Sequence, residues 1–157
     1  ELGDENPLTE NRIMYTIHKK DARLIKNIGS KRFGMQLLLR GIYIHNDLFY
    51  IHVSLSNSSN VNFDIDHIRF RIADRKVAKR TALQETFVEP VRAYNAIAAV
   101  KAGETLRNVY VFQKFTIPDD KVLIMDVFEK NGGRHQSFMI QNTDLVDAHT
   151  VEELKIR

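Results

Sequence analysis

Six histidines, His18, His45, His52, His67, His135 and His149, are the side chains in this sequence best suited to metal binding or proton transfer. None lies two or four positions from another, the spacings that put two imidazoles on one face of a strand or helix. His45 and His52 come nearest to a pair, because they flank a turn signal at His45-Asn46-Asp47 and could meet across it. Two exposed strand histidines are expected there rather than a ligand set. Asp64 and Asp66 place two carboxylates on one strand face, where they could hold a cation weakly. They lack the surrounding oxygen ligands of a calcium loop, so a solvated face is expected.

Nucleophilic chemistry has less to draw on. The chain contains no cysteine, hence no thiolate nucleophile, disulfide or thiolate metal site. No serine stands in the G-x-S-x-G context of an activated hydrolase, and the seven glycines form no phosphate-cradling loop. The expectation is a protein with no catalytic residue, metal site or cofactor, and one that acts by binding other proteins.

Two features could carry such binding. The first is a basic run, Arg69, Arg71, Arg75, Lys76, Lys79 and Arg80, interrupted by one acid, Asp74. It could face an acidic partner or phosphates, or simply be a solvated strand face that guards against edge pairing. Arg69, Arg71, Lys79 and Arg80 are the partner-binding candidates, expected on the surface, so that replacing all four by serine should leave folding nearly intact. The second is an apolar stripe of Ile13, Met14, Ile17, Leu24, Ile25 and Ile28, about 120° wide at helical spacing. Ile13, Ile17, Leu24 and Ile28 are its candidate contacts, docking on the chain's own sandwich, a second copy or another subunit, with an intermolecular host favoured. Asp21 falls in the same stripe, and the helix is expected to loosen near Lys20-Asp21.

The elements that must position these residues are mostly strands. Asn6-Pro7 opens the helix and Gly29 is a suitable stop. Strands are expected from Met35 to Ile44 and from Leu48 to Leu55, the latter with Phe49, Ile51, Val53 and Leu55 on one face and Tyr50, His52 and Ser54 on the other. Phe63 and Ile65, then Ile68, Phe70 and Ile72, form another strand with a bulge or bend at Asp66-His67. Further strands run from Val77 to Val88, Leu106 to Phe115, Val122 to Phe128 and His135 to Ile140. The last two make a hairpin around Asn131-Gly132-Gly133. Residues 91–103 read as a short helix or an irregular crossing closed by Gly103. The expected fold is all-β: an antiparallel immunoglobulin-like β-sandwich of about seven strands with an N-terminal amphipathic helix. The expected division is a lead-in over residues 1–32, the sandwich over 33–148 and a tail over 149–157.

Composition sets outer bounds. With 157 residues, 43% of them hydrophobic, the chain can bury one real core. A net charge of +3 is well short of a dedicated nucleic-acid binder. The absence of cysteine fits a reducing cytoplasm and an exported bacterial protein alike. No apolar run reaches membrane-spanning length. The opening Glu1-Leu2-Gly3-Asp4 is not a signal peptide, and the chain is expected to be a fragment or processed product. Carbohydrate binding is disfavoured because there is no tryptophan and most phenylalanines fall on expected core faces.

Several stretches carry a family resemblance by their order and spacing: Leu48-Phe49-Tyr50-Ile51-His52-Val53-Ser54-Leu55-Ser56-Asn57-Ser58-Ser59, then Phe63-Asp64-Ile65-Asp66-His67-Ile68-Arg69-Phe70-Arg71-Ile72-Ala73-Asp74, then Lys79-Arg80-Thr81-Ala82-Leu83-Gln84-Glu85, a later Pro90, and Glu129-Lys130-Asn131-Gly132-Gly133-Arg134. Over residues 33–148 the chain resembles the TraN family of Bacteroides-type conjugative transposons. The resemblance implies a structural component of a conjugative, type IV secretion apparatus, similar in role to the CagX-type outer-membrane ring subunit. It implies a place at the periplasmic face of the outer membrane. The implied partners are an outer-membrane lipoprotein and a TraM-type scaffold, possibly with self-association. It implies no catalytic residue and no small-molecule substrate. The alternatives are a periplasmic or surface adhesin or sugar-binding sandwich, and a nucleic-acid-binding module using the basic strand.

Overall fold

The computed structural model describes residues 6–75 and 85–154. The helix α1 spans Pro7–Lys20, with Asn6 as its cap: the Asn6 side chain accepts from the Leu8 N–H at 2.8 Å, and Pro7 occupies the first helical position, where no N–H is needed. The strands that follow are β1 (Gly29–Arg32), β2 (Met35–His45), β3 (Leu48–Asn57), β4 (Phe63–Asp74), β5 (Glu85–Phe87), β6 (Arg92–Ala93), β7 (Ala99–Val100), β8 (Thr105–Gln113), β9 (Lys121–Glu129) and β10 (Gln136–Ile140). A short helix α2 (Asn142–Val146), a two-residue strand β11 (His149–Thr150) and a 3-10 turn (Val151–Leu154) complete the described chain.

Two sheets result. In the first, β1-β2-β3-β8-β6 are neighbours in that order and β11 adds in parallel to the far part of β2. In the second, the order is β10-β9-β4-β5, with β7 also pairing β4. Setting the short additions aside, β2-β3-β8-β6 and β10-β9-β4-β5 reproduce the A-B-E-D and G-F-C-C′ orders of an immunoglobulin sandwich. The fold is thus an all-β sandwich with one N-terminal helix. It holds together without cysteine or tryptophan. On β4, at the strand-C position, Phe70 sits edge-on to Tyr110 (5.1 Å) and Phe112 (4.8 Å) of the opposite sheet. Met35, Leu37, Leu39, Ile51, Phe63, Leu123, Met125 and Val127 close the core around these rings.

The bulge expected near Asp66-His67 is present: the β4–β9 register shifts between Ile65 and His67. A second shift, between Leu39 and Gly41, moves the inward phase of β2 from Met35, Leu37 and Leu39 to Ile42 and re-aims Arg40. The alanine-rich 91–103 stretch is the irregular crossing, with Gly103 at φ +77. Of the expected strand Val77–Val88, only Glu85–Phe87 is within a described strand, and residues 76–84 lie outside the described residues.

The break expected near Lys20-Asp21 is where α1 ends, and two other expectations are corrected. The helix stops at Lys20, because Asp21 takes up a left-handed conformation (φ 49) and returns its N–H to the Ile17 carbonyl. Leu24 and Ile25 instead donate their N–H groups to the Arg40 carbonyl, and Gly29 starts β1 rather than ending a helix. Side-chain crowding explains that glycine, since a Cβ there would lie 2.6 Å from the Leu37 carbonyl oxygen. Finally, the 149–157 stretch is not a loose tail in its described part. Val151 and Leu154 are buried against the outer face of the first sheet.

The β1–β2 connection is a two-residue turn, Phe33-Gly34, with φ of +55 and +75. Positive values at both positions define the hairpin turn that favours Asn-Gly. A phenylalanine held there costs of the order of 1–3 kcal/mol.

Candidate binding surface

The candidate helix contacts separate into two environments. Ile13 (2% exposed) and Ile17 (0%) are buried with Met14 against Tyr43, Tyr50, Val109 and Val111 on the outer face of the first sheet. They are part of the chain's own packing and offer no surface to a partner, contrary to the expected intermolecular stripe. Ile28 is half-buried against the inner core, and Leu24 is exposed. Helical spacing had grouped residues that the left-handed turn at Asp21 sends in different directions.

With α1 and Val151–Leu154 over it, the first sheet has a covered outer face. On the outer face of the second sheet Ala73, Val122 and Ile124 form a small buried cluster toward one end, while Phe87 and Met139 are exposed. There the cross-strand register brings together Arg69 and Arg71 of β4, Asp126 of β9 and Phe87 of β5. Arg69 Nε (2.9 Å) and Arg71 Nε (2.8 Å) both donate to Asp126 Oδ2, and Arg71 Nη1 donates to Glu85 at 3.0 Å. The Asp126 hydrogen bond is the first of the causes that raise the Arg71 pKa above its ordinary value. The Arg69 guanidinium lies between the rings of Phe128 (4.8 Å) and Phe87 (5.5 Å). His67 stacks on Phe128 at 4.4 Å, and His135 lies beyond it at 5.8 Å. Phe87 (53% exposed) and Met139 (56%) add apolar surface.

This face combines planar cationic and aromatic groups, the types enriched where proteins meet. It also corrects the role expected of the arginines. The Asp126 side chain is only 5% exposed, so removing both arginines would leave a buried carboxylate without its cations. Arg69 and Arg71 are at once surface and structure. Lys79 and Arg80 lie outside the described residues.

A family model described as a domain of unknown function, DUF4138, matches residues 7–150. The chain belongs to that family. A comparison with curated proteins finds no match. The DUF4138 match begins at the first residue of α1 and ends at the last residue of β11. The family match therefore takes in both the helix and the sandwich.

One polar constellation of this DUF4138 domain was not anticipated. Where α1 ends, Asp21 Oδ1 approaches Arg40 Nε (2.9 Å) and Arg107 Nη1 (3.2 Å), the first contact being close but poorly aligned for a hydrogen bond. Arg40 Nη2 also donates to the Asp21 carbonyl at 3.1 Å, and Arg107 Nη1 donates to the His18 carbonyl. Beneath them lies His52, fully buried, its Nε2 3.8 Å from Asp21 Oδ1 and neither ring nitrogen hydrogen-bonded to a described residue. Burial, more than the neighbouring Arg40 and Arg107, lowers its pKa to about 4, although Asp21 opposes the shift. His52 is therefore not the exposed strand histidine that alternation implied, and it faces Gly41 across the sheet rather than His45. The available signal was Asp21 itself, a carboxylate inside an apolar stripe. Among the described residues, no three His, Asp or Glu side chains gather to hold a metal ion, and no helix is long and apolar enough to cross a membrane.

Proposed function

We propose that this DUF4138 domain is a non-enzymatic assembly module that binds other protein subunits through the outer face of its second sheet. The observation that carries the reading is the asymmetry of the sandwich. One outer face is covered by α1 and the 3-10 turn, whereas the other leaves Phe87 and Met139 exposed beside Phe128 and Arg69, next to a small buried patch of Ala73, Val122 and Ile124. Large apolar and cationic–aromatic surface left open in this way marks protein contact sites. The resemblance to TraN proteins extends the proposal to a conjugative, type IV secretion apparatus at the periplasmic side of the outer membrane. The partners would then be an outer-membrane lipoprotein, a TraM-type scaffold or further copies of the chain.

The test separates folding from binding by leaving the Asp126 network intact. Phe87→Ser combined with Met139→Ser changes two exposed side chains, so each should alter stability by no more than about 0.5 kcal/mol. Urea denaturation should show a near-native midpoint. Affinity capture from membranes of cells carrying the mating apparatus should recover its subunits with the parent domain and lose them with the double variant. Recovery of those subunits by both proteins would refute this face as the interface.

A further inference from the structure

The β1–β2 turn and the adjoining end of the first sheet hold a second recognition feature, separate from the face discussed above. Lys31, Arg32, Phe33, Gln36, Ser56 and Ser58 wall an open pocket of about 430 Å³ to which no carboxylate contributes. Lys31 and Arg32 are exposed, and no carboxylate among the described residues pairs with either. The Arg32 guanidinium rests on the Phe33 ring at 4.7 Å. Lys31, Gln36 and Ser56 are successive cross-strand partners. Their polar groups therefore step from strand to strand at about 4.8 Å.

Phe33 is the informative residue. Its backbone is left-handed (φ +55) in a turn whose geometry favours asparagine, and its side chain remains 54% exposed. The strain is thus not offset by burial within the chain. The turn is also held in place, because the Gly34 carbonyl accepts from Ser58 N–H (2.8 Å) and Ser58 Oγ (3.1 Å). A bulky aromatic kept in an unfavourable conformation, on an anchored turn, beside a stacked cation is the pattern of a residue kept for contact rather than for folding.

We infer that this pocket binds an acidic segment of a partner protein, its carboxylates meeting Lys31 and Arg32 and an apolar side chain lying on Phe33. Planar guanidinium and flexible ammonium groups both suit carboxylates. Two cations are few for a nucleic acid, whose affinity comes from many phosphate contacts. A free small anion would leave the Phe33 platform unused.

The probe is a fluorescein-labelled octapeptide of alternating glutamate and leucine, titrated into the full chain by fluorescence anisotropy. Inorganic phosphate and a single-stranded oligonucleotide of equal charge serve as competitors. The peptide should bind, and its affinity should fall at least tenfold in Lys31→Ser/Arg32→Ser and in Phe33→Asn. Phe33→Asn should also melt at the same temperature as the parent or higher, because asparagine relieves the turn. The proposal is overturned if the peptide does not bind, if both variants bind it as the parent does, if phosphate or the oligonucleotide displaces it at lower charge equivalents than unlabelled peptide, or if Phe33→Asn melts lower. Because Phe87 and Met139 are unchanged in these variants, subunit capture through the second sheet can succeed or fail independently.

Discussion

Replacing Ile17 by alanine is expected to lower the unfolding free energy by ~2–5 kcal/mol, the range for truncating a large aliphatic side chain in a well-packed site. Ile17 is 0% exposed and lies among Tyr43, Tyr50, Val109 and Val111. The surrounding β-strands are pinned by their ladders and cannot collapse into the vacancy. The helix also depends on that contact, since a 14-residue helix is marginal in water on its own. For a domain of this size each kcal/mol moves the midpoint by roughly 2–4 °C. Urea denaturation and thermal melting of Ile17→Ala, beside Leu8→Ala on the exposed side of the same helix, measure the effect. A loss below 1 kcal/mol for Ile17→Ala would mean that α1 is not held on the first sheet as described.

Acid should destabilise the domain through His52. The folded protein protonates this imidazole only near pH 4, whereas an unfolded histidine protonates near its ordinary value of 6.5. Between those values the unfolded chain binds more protons than the folded one, so stability falls as the pH is lowered through that window. At about 1.36 kcal/mol per pH unit, the full penalty reaches ~3 kcal/mol by pH 4. The groups around the ring explain the sign: burial, Arg40, Arg107 and His18 all oppose a second positive charge, and Asp21 favours it less strongly. His18 is lowered by its own burial and by Arg107, which acts in the same direction. Urea midpoints of the parent and His52→Leu between pH 7.5 and 4.5 provide the check. The variant should lose much of the slope between pH 6.5 and 5, whatever its stability at neutral pH. Parallel curves would place the acid sensitivity elsewhere.

What could be read from residues alone was the local chemistry of turns and single-sided strands. Asn131-Gly132-Gly133 marks the β9–β10 hairpin because Asn131 must adopt a positive φ, here +55. The alternation of Arg69 and Arg71 with Phe70 and Ile72 separates the two faces of β4 because one lines the core and the other carries the ion pairs to Asp126. The rest depended on register and on cover. Every residue of β3 except Ser56 is buried, since the core lies on one side and α1 or the chain's end on the other, and this made His52 look exposed. Asp126 could not be matched with Arg69 and Arg71 without the β4–β9 register. Asp21 marked the helix end, but Leu24, Ile25 and Ile28 keep helical spacing while packing as extended chain, so the apolar stripe runs on past it.

The cover on the first sheet is built from the two extremities of the described chain. Ile13, Met14 and Ile17 share one apolar cluster with Val151 and Leu154, and β11 adds to β2 in parallel. Those contacts close loops of more than a hundred residues, so their chain-entropy cost falls late, after the local hairpins have formed. During synthesis, Tyr43, Tyr50, Val109 and Val111 stay without their full cover until Val151–Leu154 is made. The sandwich is therefore sealed by a segment made after all of its strands, and a ribosome stalled before Val151 leaves an open sheet face that chaperones can recognise.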